Sequence, residues 1–198
     1  MVTNHIYIPI GFGCDPTILL RDNGLRKTSY PFDWCASHPS TIVTLLENNF
    51  NYFLEEYVVG TKKTSSMYLN RYGNKIYKKD LRYIFDVNSN TVLGHEYYEG
   101  VNIEDIKNQY KRRYLRMIND IRNTIDITLV HYYPNQEDVV IRKHNKIMIE
   151  NLGFNVSKYY DTNITLNHVE EAFNKINPNA RIKSISYVDI QNEQQKIT

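Results

Sequence analysis

The sequence predicts an α/β fold, a single three-layer domain on a mainly parallel sheet, with a papain-like α+β arrangement as the alternative. Three observations carry that reading. Short β-branched apolar runs recur along the chain, as in "HIYIPI", "IDITLV" and "ARIKSIS", each the length of a strand rather than a helix. Segments with apolar residues three and four apart lie between them, the spacing of one helix face. The 198 residues, 41% hydrophobic and 23% charged, match one globular domain of ordinary size. Strands separated by helices build a sheet covered on both faces.

The elements follow in order. "HIYIPI", His5 to Ile10, reads as a buried strand bounded by Gly11. Asp15 is an N-cap with Pro16 at the first helical position and Gly24 as the stop, so a helix is expected from Asp15 to Asn23. "SYPFDW", Ser29 to Trp34, is a turn with aromatic anchors. Ile42, Leu46, Phe50, Phe53 and Tyr57 form a helical stripe, and the polar stretch from Val58 to Asn74 reads as loop. Leu81–Val87 and Thr91–Tyr98 are strands around the turn signal "NSN".

Asn102 then opens a long helix with Ile103, Ile106, Tyr110, Tyr114, Met117 and Ile121 on one face. "IDITLVHYY" is a buried strand, and Glu137 to Leu152 a helix closed by Gly153. Leu166, Val169, Phe173 and Ile176 mark another helix, stopped at Asn177-Pro178, and "ARIKSISYVDI" is the last strand. The domain is expected over residues 1–190, with 191–198 a frayed tail.

Several function classes fall away. No stretch approaches the roughly 18 apolar residues of a membrane span. The N-terminus lacks a basic segment followed by a long apolar run. Two cysteines without a secretion signal point to reduced thiols in the cytoplasm rather than a Cys14–Cys35 disulfide. A net charge of +2 argues against a nucleic-acid partner. Richness in Tyr, Asn, Ile and Lys fits an AT-rich genome, bacterial or viral; a viral protein would work in the host cytoplasm. His5, His38, His144 and His168 show no zinc-ligand spacing, so neither metal nor other cofactor is expected.

The loop "GFGCDP" carries the chemistry. Gly11 and Gly13 allow a sharp strand-to-helix turn, which leaves Cys14 at a helix N-terminus. There the helix dipole and first-turn N–H groups stabilise a thiolate, or donate to an oxyanion. The same groups from Gly11 through Asp15 to Thr17 could hold a ligand phosphate instead. On position alone, a small buried hydrophobe is the default for Cys14.

Gly11, Cys14, the helix ending in Leu25-Arg26, and Ser29-Tyr30-Pro31-Phe32-Asp33-Trp34 together resemble a family from bacteria and large DNA viruses, labelled papain-like cysteine peptidases. "ENNFNYFL" (Glu47 to Leu54), His95 after a strand, and Tyr110, Arg112 and Arg113 on one helix extend the resemblance over roughly residues 6 to 133. It implies Cys14 as nucleophile and His95 as base, with Asp33 orienting the imidazole. Trp34, Arg112 and Arg113 become candidates for substrate contact. His131, in an apolar strand, reads instead as a core histidine.

The expected activity is a cysteine-dependent hydrolase or acyl-transferase acting on an amide, ester or thioester in a peptide or small molecule. The alternatives are a non-catalytic domain binding a nucleotide or sugar phosphate at Gly11–Thr17, with Arg112 or Arg113 neutralising it, and a protein that binds a host factor.

Overall fold

Ile6, Ile8 and Ile10 alternate onto one face of β1 (Thr3–Gly11), and that face begins the core. The computed structural model describes residues 3–11, 13–63, 67–69, 75–77, 80–97, 101–132 and 163–190. The expected helix over 137–152 and the tail 191–198 lie outside the described residues.

Helix α1 (Asp15–Asp22) follows β1, and its N-cap is Cys14 rather than Asp15. The Cys14 carbonyl already accepts the Ile18 N–H at 2.9 Å, so Asp15 and Pro16 are the first two helical residues. Gly24 (φ +67) ends the helix as expected, with the Leu25 N–H returning to the Leu20 carbonyl at 2.9 Å.

After β2 (Cys35–Ala36), helix α2 (Pro39–Glu47) stops well short of the stripe that runs to Tyr57. Asn49 takes the left-handed conformation (φ 51) that usually calls for glycine. Asn49 N–H donates to Leu46 and Phe50 N–H to Leu45, the paired bonds of a helix terminus. Phe50 and Phe53 still reach the core, packed on Tyr114 and Tyr110 at ring separations of 4.6 and 4.9 Å. Turns deliver them where the periodicity predicted a helix.

The segment read as loop from Val58 contains strands: β3 (Tyr57–Lys63), β4 (Met67–Leu69) and β5 (Lys75–Tyr77). β3 pairs antiparallel with β6 (Asp80–Asp86), which forms the expected hairpin with β7 (Thr91–Tyr97). The antiparallel sheet runs β2-β7-β6-β3, while β4 and β5 pair by themselves. An edge strand such as β3 is held by backbone bonds on one side, so a polar sequence can form it.

Helix α3 (Ile103–Arg122) starts where predicted, with Asn102 Oδ1 accepting the Glu104 N–H at 3.0 Å. β8 (Thr124–Tyr132), α4 (Leu166–Ile176) and β9 (Arg181–Ser186) complete the order, and 187–190 form a helical turn instead of continuing the last strand.

β8 lies between β1 and β9, parallel to both, with Gly11 beside Tyr132 and His131 beside Ser186. Residues from α2, α3 and α4 share one core with Ile6, Ile8, Ile10, Ile127 and Leu129. Helix α1, whose Leu19 and Leu20 are buried outside that cluster, contacts β1 and β8. Val130, alternating to the face opposite Leu129, is fully buried as well. The fold is α/β, with a three-stranded parallel sheet accompanied by a second, antiparallel one. No described helix is long and apolar enough to cross a membrane.

Candidate active site

The three parallel strands end together at Gly11, Tyr132 and Ser186, the carboxyl edge where open α/β sheets place their sites. Cys14 leaves that edge. Gly11 makes the exit possible: its φ is +113, and a Cβ there would meet the Tyr132 carbonyl oxygen at 2.8 Å. Its own carbonyl accepts the Gly13 N–H at 3.2 Å and the Ser37 N–H at 3.0 Å, which pins the loop to the approach of α2.

Cys14 is half-buried at the N-terminus of α1, and its side chain makes no capping bond to the helix. Cys35 is buried, with its Sγ 3.1 Å from Ser37 Oγ. Neither is in a disulfide. The donor set at the helix mouth is narrower than the sequence suggested. Pro16 has no N–H, and that of Gly13 is turned back to Gly11.

Thr17, one turn along α1 from Cys14, sends its hydroxyl to the Asp33 backbone carbonyl at 2.5 Å. That bond fastens "SYPFDW" against the first turn of the cysteine helix, so Cys14 and Asp33 belong to one neighbourhood. The motif is anchored from behind as well. Tyr30 and Phe32 are buried, Tyr30 Oη donates to Asp120 on α3 at 2.9 Å, and Arg116 on α3 donates to Thr28 Oγ1 at 2.8 Å and the Ser29 carbonyl at 3.2 Å.

Asp33 is 0% exposed. Arg26 donates from both Nε, at 3.0 Å, and Nη2 to a single oxygen, Oδ2. The other oxygen, Oδ1, is buried and accepts no hydrogen bond among the described residues. Burial pushes the carboxyl pKa up; bonds and charge from Arg26, the Tyr30 backbone, and the charge of Arg113 pull the other way. Arg26 also lies over the ring of half-buried Trp34, 5.9 Å from its centre. Of the paired arginines, Arg113 is half-buried and stacked over Tyr110 at 5.1 Å, whereas Arg112 is exposed.

His95 lies in β7. β2 and β7 run antiparallel with Cys35 opposite Leu93. Asp33, two residues before Cys35, and His95, two residues after Leu93, are therefore carried to the same end of that ladder. On its other side β7 bulges against β6: Tyr83 alone spans the interval in which β7 carries Gly94, His95 and Glu96. Bulges of this kind bend a strand and re-aim side chains, often beside active sites.

Two more histidines lie near the edge. His38 caps α2, its Nδ1 accepting the Ser40 N–H at 3.2 Å. His131 is half-buried beside Ile10, and burial holds its pKa below the usual histidine value against the charges of Asp189 and Glu170. The described residues contain no cluster of side chains suited to a metal ion. A cavity of about 480 Å³ lies elsewhere, between the turn after α2 and the face of α3 bearing Lys107 and Lys111; no predicted site residue lines it.

Sequence reasoning missed the Arg26 clamp. Its signal was present, since Leu25-Arg26 belongs to the motif, but only the turn at 31–34 brings Arg26 back onto Asp33. Among known proteins, the model of a family described as "Putative papain-like cysteine peptidase" matches residues 5–166. No curated protein and no solved structure matches the chain.

Proposed function

The chain belongs to the family described as "Putative papain-like cysteine peptidase", and from that membership we propose a cysteine-dependent hydrolase or acyl-transferase with Cys14 as nucleophile, His95 as base and Asp33 as orienting carboxylate. One observation supports this most. Cys14 caps the helix whose next turn is bonded to Asp33, and Asp33 keeps one buried oxygen unbonded among the described residues. An imidazole N–H is the natural donor to that oxygen, and His95 shares its end of the β2–β7 ladder.

In the reaction, His95 takes the Cys14 proton and the thiolate attacks a substrate carbonyl carbon. The C–S bond forms as the carbonyl π pair moves to oxygen, where the first-turn N–H groups of Asp15 and Thr17 on α1 stabilise it. Collapse breaks the bond to the leaving group, which departs with the proton from His95. Water, deprotonated by His95, then cleaves the thioester and restores the thiol; another acceptor in place of water makes the step a transfer. Amides, esters and thioesters all suit this sequence, in peptides or small molecules. The free cysteines Cys14 and Cys35 support a cytoplasmic location, in the host if the protein is viral.

The pH dependence of Cys14 alkylation by iodoacetamide, with Cys35 as internal control, tests the reading. Cys14 is expected to react with an apparent pKa well below the ordinary ~8.5, and His95→Ala to raise it. A Cys14 that titrates like an ordinary thiol, or ignores His95→Ala, refutes it.

A further inference from the structure

Arg26 does not grip Asp33 as an arginine usually grips a carboxylate. The common arrangement is a fork, two parallel N–H···O bonds to two oxygens. Here both nitrogens converge on Oδ2, Nη2 is shared with Ser29 Oγ at 2.6 Å, and Trp34 lies against the guanidinium. The backbone of Asp33 is fixed from the opposite side by Thr17. The carboxylate is thus held by one oxygen, with the other presented in a fully buried position and unused by the described residues. For stability alone this is a poor arrangement, because a buried acceptor without a donor is left desolvated and uncompensated.

We infer that Arg26 is a positioning residue: it holds Asp33 by Oδ2 and leaves Oδ1 open to accept the N–H of the imidazole that serves as base in the proposed triad, and through that bond it governs the thiol of Cys14. The inference rests on the Cys14–His95–Asp33 reading. The charged groups acting on Asp33 are Arg26 and, from α3, Arg113. Burial opposes ionisation of Asp33, and the contribution of Arg26 is the larger of the two cationic ones that favour it. Without Arg26, burial acts on Asp33 with less opposition, which favours the protonated acid, and Oδ2 loses the donors that fix it. A neutral acid stabilises an imidazolium far less than a carboxylate does, so the cysteine–imidazole pair would lose its charged form.

The experiment is iodoacetamide alkylation of Cys14 between pH 5 and 9 in the full chain, for wild type, Arg26→Met, Arg26→Lys and His95→Ala. The probe is neutral, so lost charge does not alter its approach. Arg26→Met is expected to raise the apparent pKa of Cys14 by about one unit, seen as roughly tenfold slower alkylation at pH 6. Arg26→Lys keeps the charge but loses the convergent pair of donors, and should fall between the two. It also decides the matter if Arg26→Met does not fold.

A merely structural Arg26 would lower the unfolding midpoint and leave the Cys14 profile where it was. That result, in either folded variant, overturns the inference. If His95→Ala shifts the profile and the Arg26 variants do not, the catalytic reading stands and the inference falls. If Arg26 matters and His95 does not, the route through His95 is wrong and the inference falls with it. If neither moves the profile, both readings fail.

Discussion

Two carboxylates are completely buried among the described residues, and they are buried in opposite ways. Asp86, at the β6–β7 turn, is fully used. Oδ1 accepts the Leu54 N–H at 2.9 Å, and Oδ2 accepts the Ser89 N–H at 3.2 Å and the Ser89 hydroxyl, which in turn meets Thr91 Oγ1 at 2.7 Å. Its donors are neutral and mostly backbone. Asp33 takes an arginine on Oδ2, with the Tyr30 backbone also acting on the carboxyl, while Oδ1 accepts no hydrogen bond among the described residues. Equal burial with unequal completion separates a carboxylate that holds the chain together from one poised to receive a further donor. The same desolvation raises both pKa values, so the titration shift alone does not distinguish them.

The largest expected effect tests the Asp86 half of this contrast. Asp86 ties Leu54, held at φ 57, to a turn 32 residues away. Asp86→Ala strands the Leu54 and Ser89 N–H groups in a buried site, and should cost about 4 kcal/mol in urea unfolding. The Cys14 alkylation profile should not move. A shift there would mean that the β6–β7 turn communicates with the site and would blur the comparison.

A smaller effect comes from pH. Burial pushes the Asp86 pKa up to about 6, with the Ser89 and Leu54 bonds opposing. A carboxyl whose pKa is raised on folding binds its proton more tightly in the native state. Its stabilising contribution is therefore complete below the unfolded value, near 4, and is lost as pH rises through about 6. One proton over that window is worth up to about 3 kcal/mol. Unfolding free energies of wild type and Asp86→Asn, compared between pH 4 and 7.5, should diverge as pH rises from about 4 to about 6 and level off above it, wild type losing ground. A flat difference would mean that Asp86 is ionised throughout at no cost, with its donors fully offsetting burial.

Much of this was legible in the sequence because it is local. The Asn102 cap and the stripe from Ile103 to Ile121 define α3 within one window, and Gly24 stops α1 by its own backbone freedom. "SYPFDW" announces its turn through Pro31 and its buried aromatics. What stayed hidden was decided at long range. α2 ends early because Phe50 and Phe53 find Tyr114 and Tyr110 on a helix far along the chain, and that packing holds Asn49 and Phe50 left-handed. β3 is a strand because β6 pairs with it, and nothing in "VVGTKK" supplies that partner. Within the site, Cys14 was visible from Gly11 and the helix start. The use of each Asp33 oxygen was not, since it depends on how Arg26 folds back.

The smallest effect on stability is the most informative about function. Asp33→Asn is nearly isosteric. Its amide can turn its carbonyl oxygen toward Arg26 and keep those bonds, which places the NH₂ where Oδ1 was. Because Oδ1 accepts nothing among the described residues, little native bonding is lost there. The amide also avoids burying a charge, and the unfolding free energy should change by no more than about 1 kcal/mol. At the site, however, an acceptor has become a donor, and it now faces the imidazole N–H that the proposed triad requires. Alkylation of Cys14 at pH 6 should then slow about as fully as in His95→Ala, with stability nearly intact. Asp86→Asn reverses the pattern, changing the unfolding curve and sparing the thiol. If Asp33→Asn costs several kcal/mol and leaves Cys14 alone, Asp33 is a structural carboxylate of the same kind as Asp86, and its orphan oxygen is simply a tolerated defect.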